Sequence, residues 1–217
     1  MTRLNLIEPG YNKIKGNLPA GWKAKKISEV ISDIGDGGTP SRKNNSYFGG
    51  NIPWVVIEDI TRKIEKTTEC LTEEGFSSSN TKKWPIGTLI LSFGATIGKV
   101  GIANIEVTTK QGIAGIIPDK NETTSEFLYY LFQYHQKILE KYCHKGTLAE
   151  IRPGTIKELM FAFPPLEEQN KIVKVLSTID DKYEFERQDL ILKLKEGFMQ
   201  LLLTGSIRVN NLGVQDA

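Results

Sequence analysis

Residues 166–203 read LEEQNKIVKVLSTIDDKYEFERQDLILKLKEGFMQLLL, with no proline and one interior glycine, Gly197. Ile172, Leu176, Ile179, Tyr183, Glu186, Leu190, Leu194, Gly197 and Leu201 step by fours and threes, close to a heptad repeat with Glu186 as the one polar member. The spacing predicts a single helix about 57 Å long at 1.5 Å per residue. That is far more than a preceding domain needs for packing. A bare seam of Leu and Ile invites aggregation, so the seam also predicts a partner helix. Gly197 costs the helix roughly 1 kcal/mol relative to Ala; it is either a point of close backbone approach or a tolerated weak spot. Thr204-Gly205 supplies a stop signal, which places the helical segment at 166–205 and a C-terminal tail at 206–217, frayed from Asn210 to Ala217.

Just ahead of the helix, Phe163-Pro164-Pro165 removes two amide donors and ends the preceding pattern, so a domain boundary is expected there. Further upstream the chain is rich in Gly, Pro, Asn and Ser. Its apolar runs are strand-length: Ile52 to Ile57, Thr88 to Phe93, Lys99 to Ile105, Ile113 to Ile117 and Glu158 to Phe163. One helix interrupts them. Thr123 and Glu126 have capping-box spacing, and Phe127, Leu131, Tyr134 and Ile138 follow as its expected buried stripe. The fold expected is α+β: an N-terminal segment 1–17, a domain over 18–165 with a mixed or antiparallel sheet, and one long coiled-coil-forming C-terminal helix.

With 217 residues, 39% hydrophobic and 25% charged, the chain can bury a core without disulfide help. A mean hydropathy of −0.27 and the lack of an apolar run near ~18 residues predict no transmembrane helix. Asn5, Glu8, Pro9 and Gly10 break the opening apolar patch, unlike a signal peptide. A cytoplasmic location is therefore expected, with Cys70 and Cys143 as reduced thiols. His135, Cys143 and His144 lack the ligand number and spacing of a zinc site, so no metal is expected. Residues 1–165 hold 21 Lys+Arg against 17 Asp+Glu, a balance of +4, whereas 166–205 hold 6 against 8, or −2. The front of the chain suits a polyanion better than the back.

No catalytic motif withstands inspection. Gly94 to Val100, GATIGKV, is one residue short of a phosphate loop, and Val100 stands where a Ser or Thr must meet magnesium. It reads better as a tight connection between strands, with Lys99 exposed at the turn. Phe163-Pro164-Pro165-Leu166 lacks the amide side chain of the Asn-Pro-Pro-aromatic motif of amino-methyltransferases, and no glycine-rich strand-turn-helix accompanies it. No Ser/His/Asp set and no paired carboxylates stand out. What remains is a group of polar, basic loops. Asp36 to Ser46 is the richest, since Arg, Lys and Asn can donate to base edges and phosphates while glycine permits close approach. Thr61-Arg62-Lys63 and Lys82-Lys83-Trp84 add charge; Trp84 is either a core anchor or a base stacker.

These residues resemble a known family, the DNA-specificity subunits of Type I restriction-modification systems. Five landmarks stand in that family's order across residues 18–209. They are Leu18-Pro19-Ala20-Gly21-Trp22, Gly38-Thr39-Pro40-Ser41, Ile52-Pro53-Trp54, Gly94-Ala95-Thr96-Ile97-Gly98, and Pro164-Pro165-Leu166-Glu167-Glu168-Gln169 running on to Leu202-Leu203-Thr204-Gly205-Ser206-Ile207-Arg208-Val209. The resemblance implies a non-catalytic subunit with a target-recognition domain for half of a bipartite site in double-stranded DNA, and a helical spacer. It also implies methyltransferase subunits as partners, which carry the S-adenosylmethionine, and restriction-translocase subunits where cleavage is required. The chain itself is expected to bind no cofactor.

The family pattern holds two copies of each landmark, and here there is one. The missing half and the uncovered seam together predict an antiparallel homodimer through Ile172, Leu176, Ile179, Tyr183, Leu190, Leu194, Gly197 and Leu201. Such a dimer would read an interrupted palindrome with half-sites about one to one and a half DNA turns apart. The expected DNA contacts, chosen from loop chemistry, are Thr39, Ser41, Arg42, Lys43, Asn44, Asn45, Arg62, Lys63, Thr96 and Lys99. Two other readings stay open: a truncated or recombination-cassette fragment that works only when fused to a second half, and an oligomerisation or adaptor protein without DNA readout.

Overall fold

The computed structural model describes residues 18–94, 96–136, 139 and 153–203, with side chains placed at all of these except 192 and 195–203. In chain order the elements are β1 (Lys23–Lys26), β2 (Ile31–Gly35), β3 (Phe48–Val55), β4 (Lys63–Ile64), β5 (Glu69–Leu71), α1 (Glu73–Ser77) and β6 (Leu89–Phe93). There follow β7 (Ile97–Ala103), β8 (Thr108–Thr109), β9 (Ile113–Pro118), α2 (Ser125–Tyr134), α3 (Pro153–Lys157), β10 (Met160–Phe163) and α4 (Leu166–Leu203). The chain divides into two compact units, Met1–Lys171 and Ile172–Ala217. The architecture is the α+β domain with a long C-terminal helix that the sequence predicts. The segments 1–17 and 206–217 lie outside the described residues.

Among the described residues, three sheets build the first unit. The central one has the order β2-β9-β6-β7-β4, antiparallel except for the parallel β4/β7 edge. A second has the order β5-β3-β8, with β3 and β8 parallel. In the third, β1 lies antiparallel to β10, Lys23 opposite Phe163 and Lys26 opposite Met160. All five apolar runs contain strand, but β1, sequence KAKK, has no apolar alternation to announce it. Its pairing with β10 defines it.

Trp84 is fully buried with Val55, Ile64, Ile90, Val107 and Ile113. Its indole N–H donates to the Thr109 hydroxyl at 3.1 Å. A Cβ on Gly115 would lie 2.2 Å from the indole, so only glycine lets β9 pass under this ring. Trp84 is thus the core anchor.

Helix α2 departs from the expected cap and face. Thr124 is the N-cap, its hydroxyl accepting from the Phe127 amide at 3.1 Å. Phe127 is buried as expected, but it is joined by Leu128, Tyr129, Phe132 and His135, while Leu131 is only half-buried and Tyr134 is 75% exposed. Ile138 lies outside the described residues. The His135 ring stacks on Phe161 with centroids 5.0 Å apart, and its Nδ1 has no partner among the described residues. Burial lowers its pKa to about 4. An unfolded histidine titrates near 6.5, so on acidification the unfolded chain takes up this proton first. The His135 contribution is therefore intact above about pH 6.5 and is lost progressively toward pH 4, at up to about 1.4 kcal/mol per unit. Denaturant unfolding between pH 7 and 4.5 should show a shallower acid loss in His135→Phe than in the parent; equal slopes would contradict this.

Thr123, freed from capping, roots α4. Its hydroxyl donates to Gln169 Oε1 at 2.8 Å, and Gln169 Nε2 donates to the carbonyls of Glu122 (2.8 Å) and Pro164 (3.0 Å). Gln169 is 1% exposed. Trp22 Nε1 donates to Glu168 at 3.2 Å. Gly21, at φ +82°, lies over Pro165. Gln169→Leu keeps the volume but orphans a buried hydroxyl and removes a donor from two carbonyls. It should lower stability to urea by on the order of 2–3 kcal/mol; an unchanged midpoint would contradict the root.

Candidate nucleic-acid interface

Strand directions decide which loops meet. Antiparallel pairing of β9 with both β2 and β6 brings the ends of β2 and β6 and the starts of β7 and β9 to one end of the central sheet. The segment after Gly35, Gly94 and the 110–112 turn therefore adjoin. Gly94 N donates to the Gly112 carbonyl at 3.1 Å, and Asp36 Oδ1 accepts from Gly37 N (2.7 Å) and Gly112 N (2.9 Å). A cleft of about 500 Å³ opens among them, lined by Asp36, Thr39, Phe93, Gly94, Lys110, Gln111, Gly112 and Pro153.

The sequence-predicted residues fare differently. Thr39 is exposed at this cleft, its hydroxyl accepting from Gln111 N at 3.4 Å. Ser41, Lys43, Asn45 and Thr96 are exposed. Asn44 is half-buried and caps the turn Asn45–Tyr47, its Oδ1 accepting from the Ser46 amide and hydroxyl at 3.1 and 2.9 Å. The Arg42 guanidinium forks onto Glu69 at 2.5 and 2.8 Å and lies over the Phe48 and Trp54 rings. The Arg42 hydrogen bond holds the Glu69 carboxyl below its usual range, and Lys110 acts in the same direction.

Lys99 is not exposed at the turn. It is half-buried, and its ammonium donates to the Ile57 carbonyl at 2.6 Å. Arg62 is half-buried and Lys63 exposed. They lie beside Ile102, nearly a full strand from Thr96, roughly 20 Å at about 3.3 Å per residue. Lys82, from the other basic run, pairs with Asp33 at 2.5 Å and covers Trp84. The glycines of the 36–46 loop also have another purpose. A Cβ on Gly37 would lie 2.1 Å from the Thr109 carbonyl oxygen and one on Gly38 2.3 Å from the Thr81 amide, so their close approach is to the protein's own backbone.

Lys110 and Gln111 were absent from the expected contacts. The signal was two long polar residues before a glycine, between strand-length runs. Among the described residues no group of three or more His, Cys, Asp or Glu could hold a metal ion, and no helix is long and apolar enough to cross a membrane.

Along α4, Ile172 and Leu176 are half-buried, while Ile179, Tyr183, Leu190 and Leu194 are 54–63% exposed. Gly197 and Leu201 lie within the helix.

A family model described as the Type I restriction modification DNA specificity domain matches residues 19–196. The chain belongs to this family. It is 36% identical over 181 residues to the Type I restriction enzyme MjaIX specificity subunit of Methanocaldococcus jannaschii, covering 80% of this chain and 41% of that one. It is 29% identical over 189 residues to the HindI specificity subunit of Haemophilus influenzae, covering 81% and 41%. In fold it is similar to the crystal structure of the HsdS subunit from Thermoanaerobacter tengcongensis, with a TM-score of 0.61, 24% identity and coverage of 82% and 40%. The chain spans less than half the length of these relatives.

The specificity-domain landmarks turn out to hold the frame. The first and last meet at the Trp22–Glu168 bond and the Gly21–Pro165 contact. The second and third meet where Trp54 Nε1 donates to the Gly38 carbonyl at 3.1 Å. In the fourth, Gly94 lies against Gly112. At the cleft, Lys110 and Gln111 lie between landmarks, whereas Thr39, also exposed there, belongs to the second.

Proposed function

We propose that this chain is the non-catalytic DNA-reading component of a Type I restriction-modification complex, acting as a homodimer. Its first unit reads one half-site in double-stranded DNA, and α4 pairs antiparallel with α4 of a second copy. The pair reads an interrupted palindrome in the cytoplasm. It recruits methyltransferase subunits that supply S-adenosylmethionine, and restriction-translocase subunits where cleavage takes place.

The observation that carries this reading is the exposed seam of α4, whose spacing is self-complementary. With a two-fold axis between positions 186 and 187, Ile172 faces position 201, Leu176 faces 197, Ile179 faces 194 and Tyr183 faces 190 of the other copy. Glu186 then faces Arg187, so the polar interruption meets an opposite charge. At Gly197 the missing side chain leaves room for Leu176. Any regular heptad maps onto itself under reversal; what is particular to this sequence is that the one polar member meets an opposite charge and the glycine meets a leucine. The experiment is selection of bound duplexes from a random pool by the purified chain. Enrichment of two inverted, identical half-sites at fixed spacing supports the reading. Retention without a motif would favour an oligomerisation or adaptor protein instead.

A second reading rests on the coverage of the relatives, 41% of each of the two compared. In it the chain is a truncated or recombination-cassette half, competent only when joined to another half. A single enriched half-site, with no methylation by the chain plus methyltransferase alone, would favour it.

A further inference from the structure

We propose that Gln111 is a specificity-determining residue, reading the major-groove edge of an adenine in each half-site, and that Lys110 beside it holds a backbone phosphate. This deepens the DNA-reading function proposed above and rests on it.

Gln111 is the tip of a turn that the fold immobilises. Ile113 N donates to the Lys110 carbonyl at 3.0 Å and closes a β-turn, and Gly112 holds φ +87°, the positive value a type II turn requires at that position. The turn is fixed on three sides. Lys110 N donates to the Val55 carbonyl at 3.0 Å, Gly112 N donates to Asp36 Oδ1 at 2.9 Å, and the Gly112 carbonyl accepts from both Phe93 N and Gly94 N. Gly94 packs directly on this turn, a Cβ built there lying 3.4 Å from the Gly112 α-carbon, at van der Waals contact. A reading side chain needs such a base, because an amide discriminates between bases only if its position is fixed.

Three of the polar side chains expected to meet DNA are already engaged. Arg42 is forked onto Glu69, Asn44 caps its own turn, and Lys99 is bound to the Ile57 carbonyl. Gln111 is exposed, and no hydrogen bond of its side-chain amide occurs among the described residues. A glutamine amide can accept from adenine N6 and donate to N7 at once, a pairing that other bases do not offer in the major groove. Lys110, half-buried, supplies a point charge next to it, suited to phosphate rather than base recognition.

The test compares the full chain with Gln111→Ala and Lys110→Ala, by duplex selection and by binding of the selected site over a salt series. For Gln111→Ala the expected result is loss of preference at one A·T position per half-site. Discrimination there falls on the order of 10- to 100-fold, with the other positions and the salt slope unchanged. Lys110→Ala should weaken binding to all sequences alike and lower the salt slope by about one per copy of the chain. Gln111 is exposed, so loss of fold is not expected, and unfolding curves of the variants verify it. An unchanged motif in Gln111→Ala, or loss confined to a G·C position, overturns the inference while DNA reading stands. A parent chain that selects no motif overturns the DNA reading itself.

Discussion

Replacing Leu190 or Leu194 with lysine should turn a dimer into a monomer at micromolar concentration. Both leucines are more than half exposed in the single chain, yet in the proposed dimer each would face an apolar residue of the other copy, Tyr183 or Ile179. Burying a leucine contributes about 1.5–3 kcal/mol, and a two-fold interface loses the contribution twice. Placing two ammonium groups in the seam adds a desolvation cost. The combined loss is on the order of 4 kcal/mol or more, a weakening near 10³-fold. Light scattering would then report one chain's mass of 24.3 kDa for the variants and twice that for the parent. Phe185 provides the control. It is 73% exposed but lies on the opposite side of α4 from the seam, so Phe185→Lys should leave the dimer intact. A monomeric parent, or variants of unchanged mass, would remove this seam from the account.

A duplex with both inverted half-sites should bind on the order of 100-fold or more tightly than one with a single half-site, because the second contact is made within one complex. The advantage depends on the dimer, so Leu194→Lys should abolish it while leaving the weak affinity for a single half-site. Titration of the two duplexes at one fixed salt concentration distinguishes the cases, since phosphate contacts make affinity steeply salt-dependent. Equal affinities for the two duplexes with the parent chain would mean that one reader acts alone.

How far these features were legible depends on the length of the signal. Helix α4 was plain because a heptad-like repeat runs from Ile172 to Leu201 through most of its thirty-eight residues and has no competing periodicity. In α2, SEFLYYLFQY, apolar residues fall on nearly every position, so period alone could not choose between the stripe through Leu131 and Tyr134 and the one through Leu128 and Phe132. Thr123 was the expected cap, but its hydroxyl is taken by Gln169, forty-six residues along the chain, and Thr124 caps the helix instead. Strand β1 was invisible because its lysines are held by β10 and by ion pairs with Glu122 and Glu158 rather than by burial.

The site was legible mainly as chemistry, not as geometry. Arg42 and Lys99 looked like donors for DNA, and each is engaged by a partner distant in the chain, Glu69 and the Ile57 carbonyl. Gln111 had no charge to draw attention. Its position at the tip of a fixed turn exists only after β6 and β9 pair.

The central claim is that two identical readers act together. It is tested most directly by mapping methylated bases in a genome exposed only to this chain and its methyltransferase partner. The account predicts methylation in an interrupted palindrome, two inverted identical half-sites at one fixed separation. An asymmetric bipartite motif would contradict it, because a second, different half would then be doing part of the reading.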